Sequence, residues 1–209
     1  MVGPTRSIHN CLQLLRVRCP KPVRQSRRGD TLARVVSDYI RYCRSRAQAE
    51  REHFAALSLP QAVRLAGLAQ TQEGKRFSHQ RRIPKVVLHR SAELLLRRLP
   101  RLRACRDFEA LYALIDDTMG HLRGIGTLTL YDTANRIGGK LRLEPTSVYL
   151  HAGTLDGAHA LELPTQNGIV EMSDVPKEFR RLRPREVEDA LCIFNARLRR
   201  VMNGRRAGR

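Results

Sequence analysis

Apolar residues recur at three- and four-residue intervals along much of the chain, which is the spacing of amphipathic helices. The first such stretch follows a helix cap at Asp30 and Thr31. Its apolar positions are Leu32, Val35, Val36, Tyr39 and Ile40. We expect this helix to continue with a polar outer face as far as Phe54.

Prolines and an aspartate mark the helices that follow. Pro60 can open a second helix because the first helical position needs no N–H donor. A third helix is expected at residues 85–99, ended by Pro100. Asp107 caps a fourth, whose apolar face includes Phe108, Leu111, Leu114 and Ile115.

The last helix has the clearest apolar stripe in the chain. It is expected to begin at Pro184 and to stop at Gly204. Its stripe consists of Val187, Ala190, Leu191, Phe194, Leu198, Val201 and Met202. Before it, Thr154 is expected to cap a small helix, and Asn167-Gly168 to turn a lone ribbon between residues 161–163 and 169–170. The pattern predicts one all-α domain at residues 30–203, with basic arms at 1–29 and 204–209.

The turn Gly124-Ile125-Gly126 is the most informative short motif. An apolar helical approach runs into it, and a second helical segment begins at once. Glycine accepts unusual backbone angles and lets a ligand come close. The first N–H groups of the second helix lack intrahelical partners and favour an anion. We therefore expect a two-helix hairpin that holds a phosphate through Gly124, Ile125, Gly126, Thr127 and Thr129. The alternative is a glycine linker between two core helices.

The charge of the chain is strongly positive and unevenly placed. It has 39 Lys and Arg against 20 Asp and Glu, a net charge of +19. Residues 1–106 carry +18 of this, whereas residues 107–209 carry +1. A counter-ion partner is the default explanation, and nucleic acid is the commonest one.

Residues 72–84 have no helical period and form a predicted basic loop. Its cationic side chains are Lys75, Arg76, His79, Arg81 and Arg82, placed around Phe77. This density of donors suits phosphate or base-edge contacts, although a solvated connector is an equal alternative. Phe77 is the single aromatic residue of the loop, so stacking platforms are scarce and DNA is favoured over RNA.

Residues 1–29 contain no acidic side chain before Gly29 and have three interpretations. They form a disordered basic arm that reaches DNA, an organelle-targeting presequence, or an upstream extension from a misassigned start. The basic arm is favoured. Five scattered cysteines show no zinc spacing, so no metal is expected. No apolar run is long enough to cross a membrane, and an intracellular, nucleoid-associated protein is expected.

The hairpin resembles the helix-hairpin-helix module of the base-excision DNA glycosylase superfamily. That family has two apolar residues five and two positions before a Gly-apolar-Gly turn, matched here by Met119, Leu122, Gly124, Ile125 and Gly126. Thr129 stands where the family often has threonine. The close resemblance covers about 20 residues. It implies an all-α fold, a DNA phosphate on the turn and a monovalent cation on the turn's carbonyls, with no other cofactor.

The chain departs from this family at its catalytic positions. Leu128 stands where bifunctional members have lysine, and Leu130 where a small residue is usual. The segment that matches the family's catalytic aspartate reads Val148 to His151, with Tyr149 in place of the acid. Without that carboxylate nothing there stabilises a sugar oxocarbenium ion. No catalytic residue is therefore assigned, and Tyr149 and His151 are expected to stack on a base or to fill the core.

Three functions follow in order of preference. The first is a non-catalytic protein that binds DNA backbone with little sequence preference. The second is a base-processing enzyme whose acid is displaced to Asp132 or Asp156. The third is a protein–protein adaptor within a nucleoprotein complex.

Overall fold

The computed structural model describes residues 29–207, with side chains as far as Gly204. Its helices are α1 (Leu32–Tyr42), α2 (Arg44–Ala56), α3 (Leu59–Gly67), α4 (Lys85–Arg97), α5 (Leu99–Ala104), α6 (Phe108–Met119), α7 (Thr127–Leu141), α8 (Ala152–Ala160) and α9 (Pro184–Ala207). The strands β1 (Val148–Tyr149) and β2 (Ile169–Val170) pair antiparallel. The described residues are thus predominantly helical, as the apolar spacing predicts. The expected arm at residues 1–29 lies outside them, apart from Gly29.

The helices pack around two apolar clusters. One joins α1, α8, α9 and the small sheet, with Tyr39, Phe179, Phe194 and Leu198 fully buried. The other joins helices α2 to α7, with Phe54, Phe108, Ile115 and Ile137 fully buried. Burial of this much apolar surface is the main stabilising contribution to such a fold. None of the described helices is both long and apolar enough to cross a membrane.

The expected helix starts are confirmed where a cap or a proline carries them. The Thr31 hydroxyl accepts a hydrogen bond from the N–H of Arg34 at 3.2 Å. The Asp107 carboxylate accepts one from the N–H of Ala110 at 2.7 Å. Pro60 lies in the first turn of α3, and Pro184 begins α9. These side chains satisfy or remove donors that a helix start leaves unpaired.

The prediction of one long helix from Asp30 to Phe54 is wrong, because the helix is interrupted at Cys43. The two halves serve different cores: α1 buries Leu32, Val35 and Val36 in one cluster, and α2 buries Phe54 in the other. The helix expected at residues 85–99 ends at Arg97, just before Pro100 as predicted, and Pro100 lies in the first turn of the short helix α5 that follows.

Three expectations near the C-terminus are also wrong. The strand Ile169–Val170 pairs with Val148–Tyr149 and not with residues 161–163. Helix α8 begins after His151, so Thr154 lies inside its first turn, where its hydroxyl accepts from the His151 N–H at 2.6 Å. Helix α9 continues through Gly204 to Ala207, so the expected boundary of a loose tail at residue 204 is not seen.

Candidate nucleic-acid interface

The glycine turn joins α6 to α7 over residues 120–126. Gly124 has φ +96°, a conformation that L side chains rarely adopt. Gly126 is the N-cap of α7, with φ −122° and ψ 176°. Between them, the Ile125 side chain packs on a small cluster of Ala69, Ile83 and Leu88. The turn is therefore held at its centre and exposed at both glycines.

Backbone donors are exposed at the start of α7. The first bonds of the helix run to the Gly126 carbonyl from the N–H groups of Thr129 and Leu130, at 2.8 and 3.1 Å. The N–H groups of Thr127 and Leu128 precede them, and no side chain caps Gly126. A Cβ built on Gly124 or Gly126 meets no atom within 4 Å. The space beside both glycines is thus open.

The two threonines assigned to the turn differ in position. Thr127 is exposed at the first residue of α7, whereas Thr129 is buried at 7% exposure. The Thr129 carbonyl accepts a hydrogen bond from the Thr133 hydroxyl at 2.7 Å inside the helix. Of this pair, Thr127 is the one whose side chain can reach a ligand at the turn.

The basic loop is braced by one of its own arginines. Arg76 Nη1 donates to the carbonyls of Arg81 and Ile83, at 3.1 and 2.9 Å. Arg76 also forms an isolated antiparallel β-bridge with Gln70, and the Thr71 N–H donates to the Lys75 carbonyl at 2.8 Å. Because its guanidinium holds the loop, Arg76 shapes the surface and is less available to a ligand than its neighbours.

The loop is fastened to α7 by three side-chain contacts. The guanidinium carbon of Arg136 lies 3.7 Å from the centre of the Phe77 ring, a cation–π contact. Arg136 Nη1 donates to Gln80 Oε1 at 3.1 Å. His79 Nε2 lies 2.6 Å from Asp132 Oδ2. Arg136 itself is 4% exposed, and its Nε donates to Glu50 at 3.1 Å.

This docking brings the basic loop beside the glycine turn. Phe77 and Ile125 both pack against the cluster of Ala69, Ile83 and Leu88. Lys75, Arg81 and Arg82 remain exposed, with Lys75 paired to Glu73 at 2.9 Å. The predicted donors of the turn and three predicted cations of the loop therefore belong to neighbouring segments. The sequence could not show this, since Ile125 lies at least 37 positions from each residue of the cluster.

The Asp132–His79 pair supplies a charged group next to the turn. Burial alone would raise the pKa of Asp132, but Arg136 and His79 outweigh it and lower that pKa. Asp132 is therefore ionised at neutral pH. Its side chain is 18% exposed and that of His79 is 43% exposed, so the pair is reachable from solvent.

Tyr149 and His151 lie in the interior. The Tyr149 ring packs against the rings of Phe108, Tyr112 and Tyr131, with centroids 4.9 to 5.5 Å apart. His151 is 3% exposed, and its Nε2 lies 2.5 Å from Glu188 Oε1. Of their two expected roles, base stacking or core packing, their positions favour core packing.

The environments of Glu188 and Asp189 on α9 were not foreseen. Burial raises the pKa of Glu188 well above its usual range and lowers that of His151, which favours an uncharged pair. Burial and the nearby Glu188 raise the pKa of Asp189 to about 8, and Asp189 accepts from the Tyr39 hydroxyl at 2.8 Å. Acidic residues beside an apolar stripe were the available signal, but their partners lie far away in the chain.

No group of three or more His, Cys, Asp or Glu side chains within the described range could hold a metal ion. Asp156, the other candidate acid, is exposed and lies 3.6 Å from Arg199. Asp156 belongs to α8, which packs in the apolar cluster of α1 and α9 and not beside the turn.

Comparison of the chain with protein-family models, curated proteins and solved structures finds no match.

Proposed function

We propose that this protein binds the phosphate backbone of nucleic acid, with DNA preferred to RNA and with little sequence preference. The observation that carries the proposal is the position of the basic loop, which is fastened to α7 beside the exposed glycine turn. A strand that meets the turn therefore meets cations at the same place.

The turn is the proposed phosphate-binding site. Gly124, Gly126 and Thr127 are exposed, and the space above both glycines is open. A phosphate there would accept hydrogen bonds from the first N–H groups of α7 and lie at the positive end of the helix dipole. These contacts read no base, so they favour binding that is independent of sequence.

The loop is the proposed source of attraction. Arg81 and Arg82 are exposed, while Arg76 and His79 are occupied in holding the loop. Phe77 lies under Arg136 and so is not free to stack on an unpaired base. This supports recognition of a duplex backbone over recognition of single-stranded RNA, which relies on such stacking.

Salt dependence tests the proposal. We expect the affinity for a random DNA duplex, followed by fluorescence anisotropy, to fall steeply as salt is raised. Arg81→Gln/Arg82→Gln should reduce the slope of log K against log salt by about 1–2, because two phosphate contacts are lost. Arg180→Gln/Arg181→Gln is the matched control, since both residues are exposed and flank the other apolar cluster.

Two results would contradict the proposal. A wild-type slope near zero would exclude electrostatic binding to the backbone. Equal losses in the two double variants would show that net charge matters and that the loop does not.

A base-processing enzyme is the second candidate, and the Asp132–His79 pair favours it. Asp132 lies five residues after Thr127, and its lowered pKa keeps it ionised. An ionised carboxylate could stabilise the sugar cation as the glycosidic bond breaks. Water would add at C1′, and the base would leave with a proton.

Product analysis tests this second candidate. Duplexes with damaged or mismatched bases would be incubated with the wild type, Asp132→Asn and the exposed control Asp156→Asn, after thermal unfolding has shown that each is folded. The enzyme hypothesis predicts released base or strand breaks that only Asp132→Asn abolishes. It is wrong if the wild type yields no product, or if Asp132→Asn yields as much as the wild type.

A further inference from the structure

A cavity of about 300 Å³ lies at the far end of α7 from the glycine turn. It is formed by α2, by the end of α7 and the segment after it, and by the start of α9. We call it the arginine cavity, because its charged lining residues are Arg51, Arg142, Arg183 and Arg185 together with Glu52 and Glu144. From Thr127 to Gly139 the helix rises about 18 Å, so the cavity and the turn are separate places.

The lining has more positive than negative charge. Glu144 is shared by three guanidinium groups: Arg183 at 2.9 Å, Arg51 at 3.2 Å and Arg185 at 3.7 Å. The second carboxylate, Glu52, accepts a hydrogen bond from Gln48 at 3.1 Å. Four arginines thus face two carboxylates, and a balanced ion-pair network would need two further negative charges.

The shortage of negative charge also affects a buried arginine, Arg185. Arg185 is 8% exposed. Its Nε lies 3.7 Å from Glu144 Oε1, which is too far for a hydrogen bond, and it has no other hydrogen-bond partner among the described residues. Buried donors are nearly always paired in native proteins, so an unpaired one calls for an explanation. Burial also lowers the pKa of Arg51, and the charges of Arg185 and Arg183 lower it further against the opposing effect of Glu144.

Arg142 adds a fourth guanidinium group to the lining, at the end of α7. It ends α7 with φ +61°, in the left-handed conformation that normally favours glycine. Its side chain is exposed at the cavity and makes no ion pair with any described residue. A guanidinium without an ion pair, beside a cavity already rich in arginine, is available to bind an anion.

The start of α9 also favours a negatively charged ligand. Arg183 and Arg185 flank Pro184, the first residue of this 24-residue helix, so the cavity lies at the positive end of its dipole. Planar guanidinium groups bind phosphate through paired hydrogen bonds.

We propose that the arginine cavity binds a phosphate group through Arg142, Arg183 and Arg185, with Glu144 holding Arg183 and Arg185 in place. The phosphate belongs either to a small phosphorylated molecule or to the terminal phosphate of a nucleic-acid strand. The proposal stands on its own cavity and does not depend on DNA binding at the glycine turn.

Calorimetric titration of the full chain with inorganic phosphate tests the proposal, with sodium chloride at equal ionic strength as the blank. We expect saturable binding to the wild type and about tenfold weaker binding to Arg142→Gly. This variant should unfold at a higher temperature than the wild type, because glycine relieves the left-handed backbone. Weaker binding could then not be ascribed to a damaged fold.

Two control variants separate the site from general effects. Ala69→Gly relieves another left-handed residue, at φ +52°, without changing charge. Arg90→Gln removes an exposed arginine from α4. Both should bind phosphate as the wild type does. Absence of saturable phosphate binding to the wild type, or equal binding to Arg142→Gly, would overturn the proposal.

Two further pairs of ligands identify the source of the phosphate. Adenosine monophosphate against adenosine tests a small ligand, and a 5′-phosphorylated oligonucleotide against its unphosphorylated form tests a strand end. The higher affinity of each phosphorylated ligand over its unphosphorylated form should disappear in Arg142→Gly. If it persists in that variant, the phosphate does not bind in the arginine cavity. The part of phosphate binding that Arg142→Gly removes should persist in Arg81→Gln/Arg82→Gln, so failure of the DNA-binding proposal would be visible separately.

Discussion

Single residues in this chain are placed by partners that lie far away in the sequence. Arg136 holds Phe77 and Gln80 in the basic loop, and His79 meets Asp132. No local pattern predicts these contacts, because each joins a helix to a loop more than fifty residues earlier. Residue types alone therefore suggested that five cationic side chains of the loop were free, whereas Arg76 and His79 are occupied.

Asp189 makes a prediction about pH at the residue scale. Its folded pKa is about 8, raised first by burial, against about 4 in an unfolded chain. Between these values the folded state keeps a proton that the unfolded state releases. Its contribution to stability is thus full at low pH and is lost as pH rises to about 8, by at most about 1.4 kcal/mol per pH unit.

Asp189→Asn checks this prediction. Asparagine keeps an oxygen that can accept from the Tyr39 hydroxyl but does not titrate. The free energy of unfolding in urea should therefore fall less steeply with pH in the variant than in the wild type, between about pH 5 and 8. Parallel profiles would show that Asp189 has an ordinary pKa.

At the scale of elements, caps and prolines predict where helices begin better than where they end. Asp107, Thr31 and Pro184 act locally, and the helices start at them. The break at Cys43 and the pairing of β1 with β2 depend on which core receives each segment, and local spacing does not encode that choice. Similarly, Gly204 lies inside α9, because a glycine tolerated in a helix need not end it.

Helix α9 is joined to the start of α1 by a buried ion pair. Arg197 is 1% exposed, its Nε lies 2.5 Å from Asp30 and its Nη1 lies 2.7 Å from Asp38. Arg197 lies on the apolar stripe of α9, between Phe194 and Val201 at helical spacing. A charged residue on such a stripe was a readable sign of a buried partner, although the partner could not be named.

Arg197→Met tests the contribution of this pair. The variant removes the buried guanidinium group that pairs with Asp30 and Asp38, so we expect the free energy of unfolding to fall by about 3–5 kcal/mol. Arg199→Met, on the exposed face of the same helix, should change it by less than about 1 kcal/mol. Chemical denaturation of both variants measures the difference. A loss of similar size in the two would mean that the ion pair does not fasten α9 to α1.

For the whole molecule, the charge and the fold place the candidate sites at different parts of the surface. The glycine turn and the basic loop lie at the start of α7, and the arginine cavity lies at its end. The turn could be found from the sequence, because Gly-apolar-Gly between apolar helical segments is a local signal. The cavity could not, since its arginines come from three distant segments.

The most direct test of the account is the DNA affinity of variants at Gly126. Its backbone angles suit any residue, and the space beside it is open. Asn or Asp there should cap α7 and leave stability unchanged or slightly higher, by a few tenths of a kcal/mol. Each would occupy the donors that we assign to a phosphate, and Asp would also repel it.

Affinity for a random duplex should be measured by fluorescence anisotropy at fixed salt. We expect it to fall about threefold in Gly126→Asn and about tenfold or more in Gly126→Asp. Gly168→Asp, a charge-matched change at an exposed turn near β2, should have little effect on affinity although its φ of +71° strains the backbone. The adaptor hypothesis predicts that both Gly126 variants bind the duplex as tightly as the wild type. If they do, the turn is not a phosphate-binding site and the central claim is wrong.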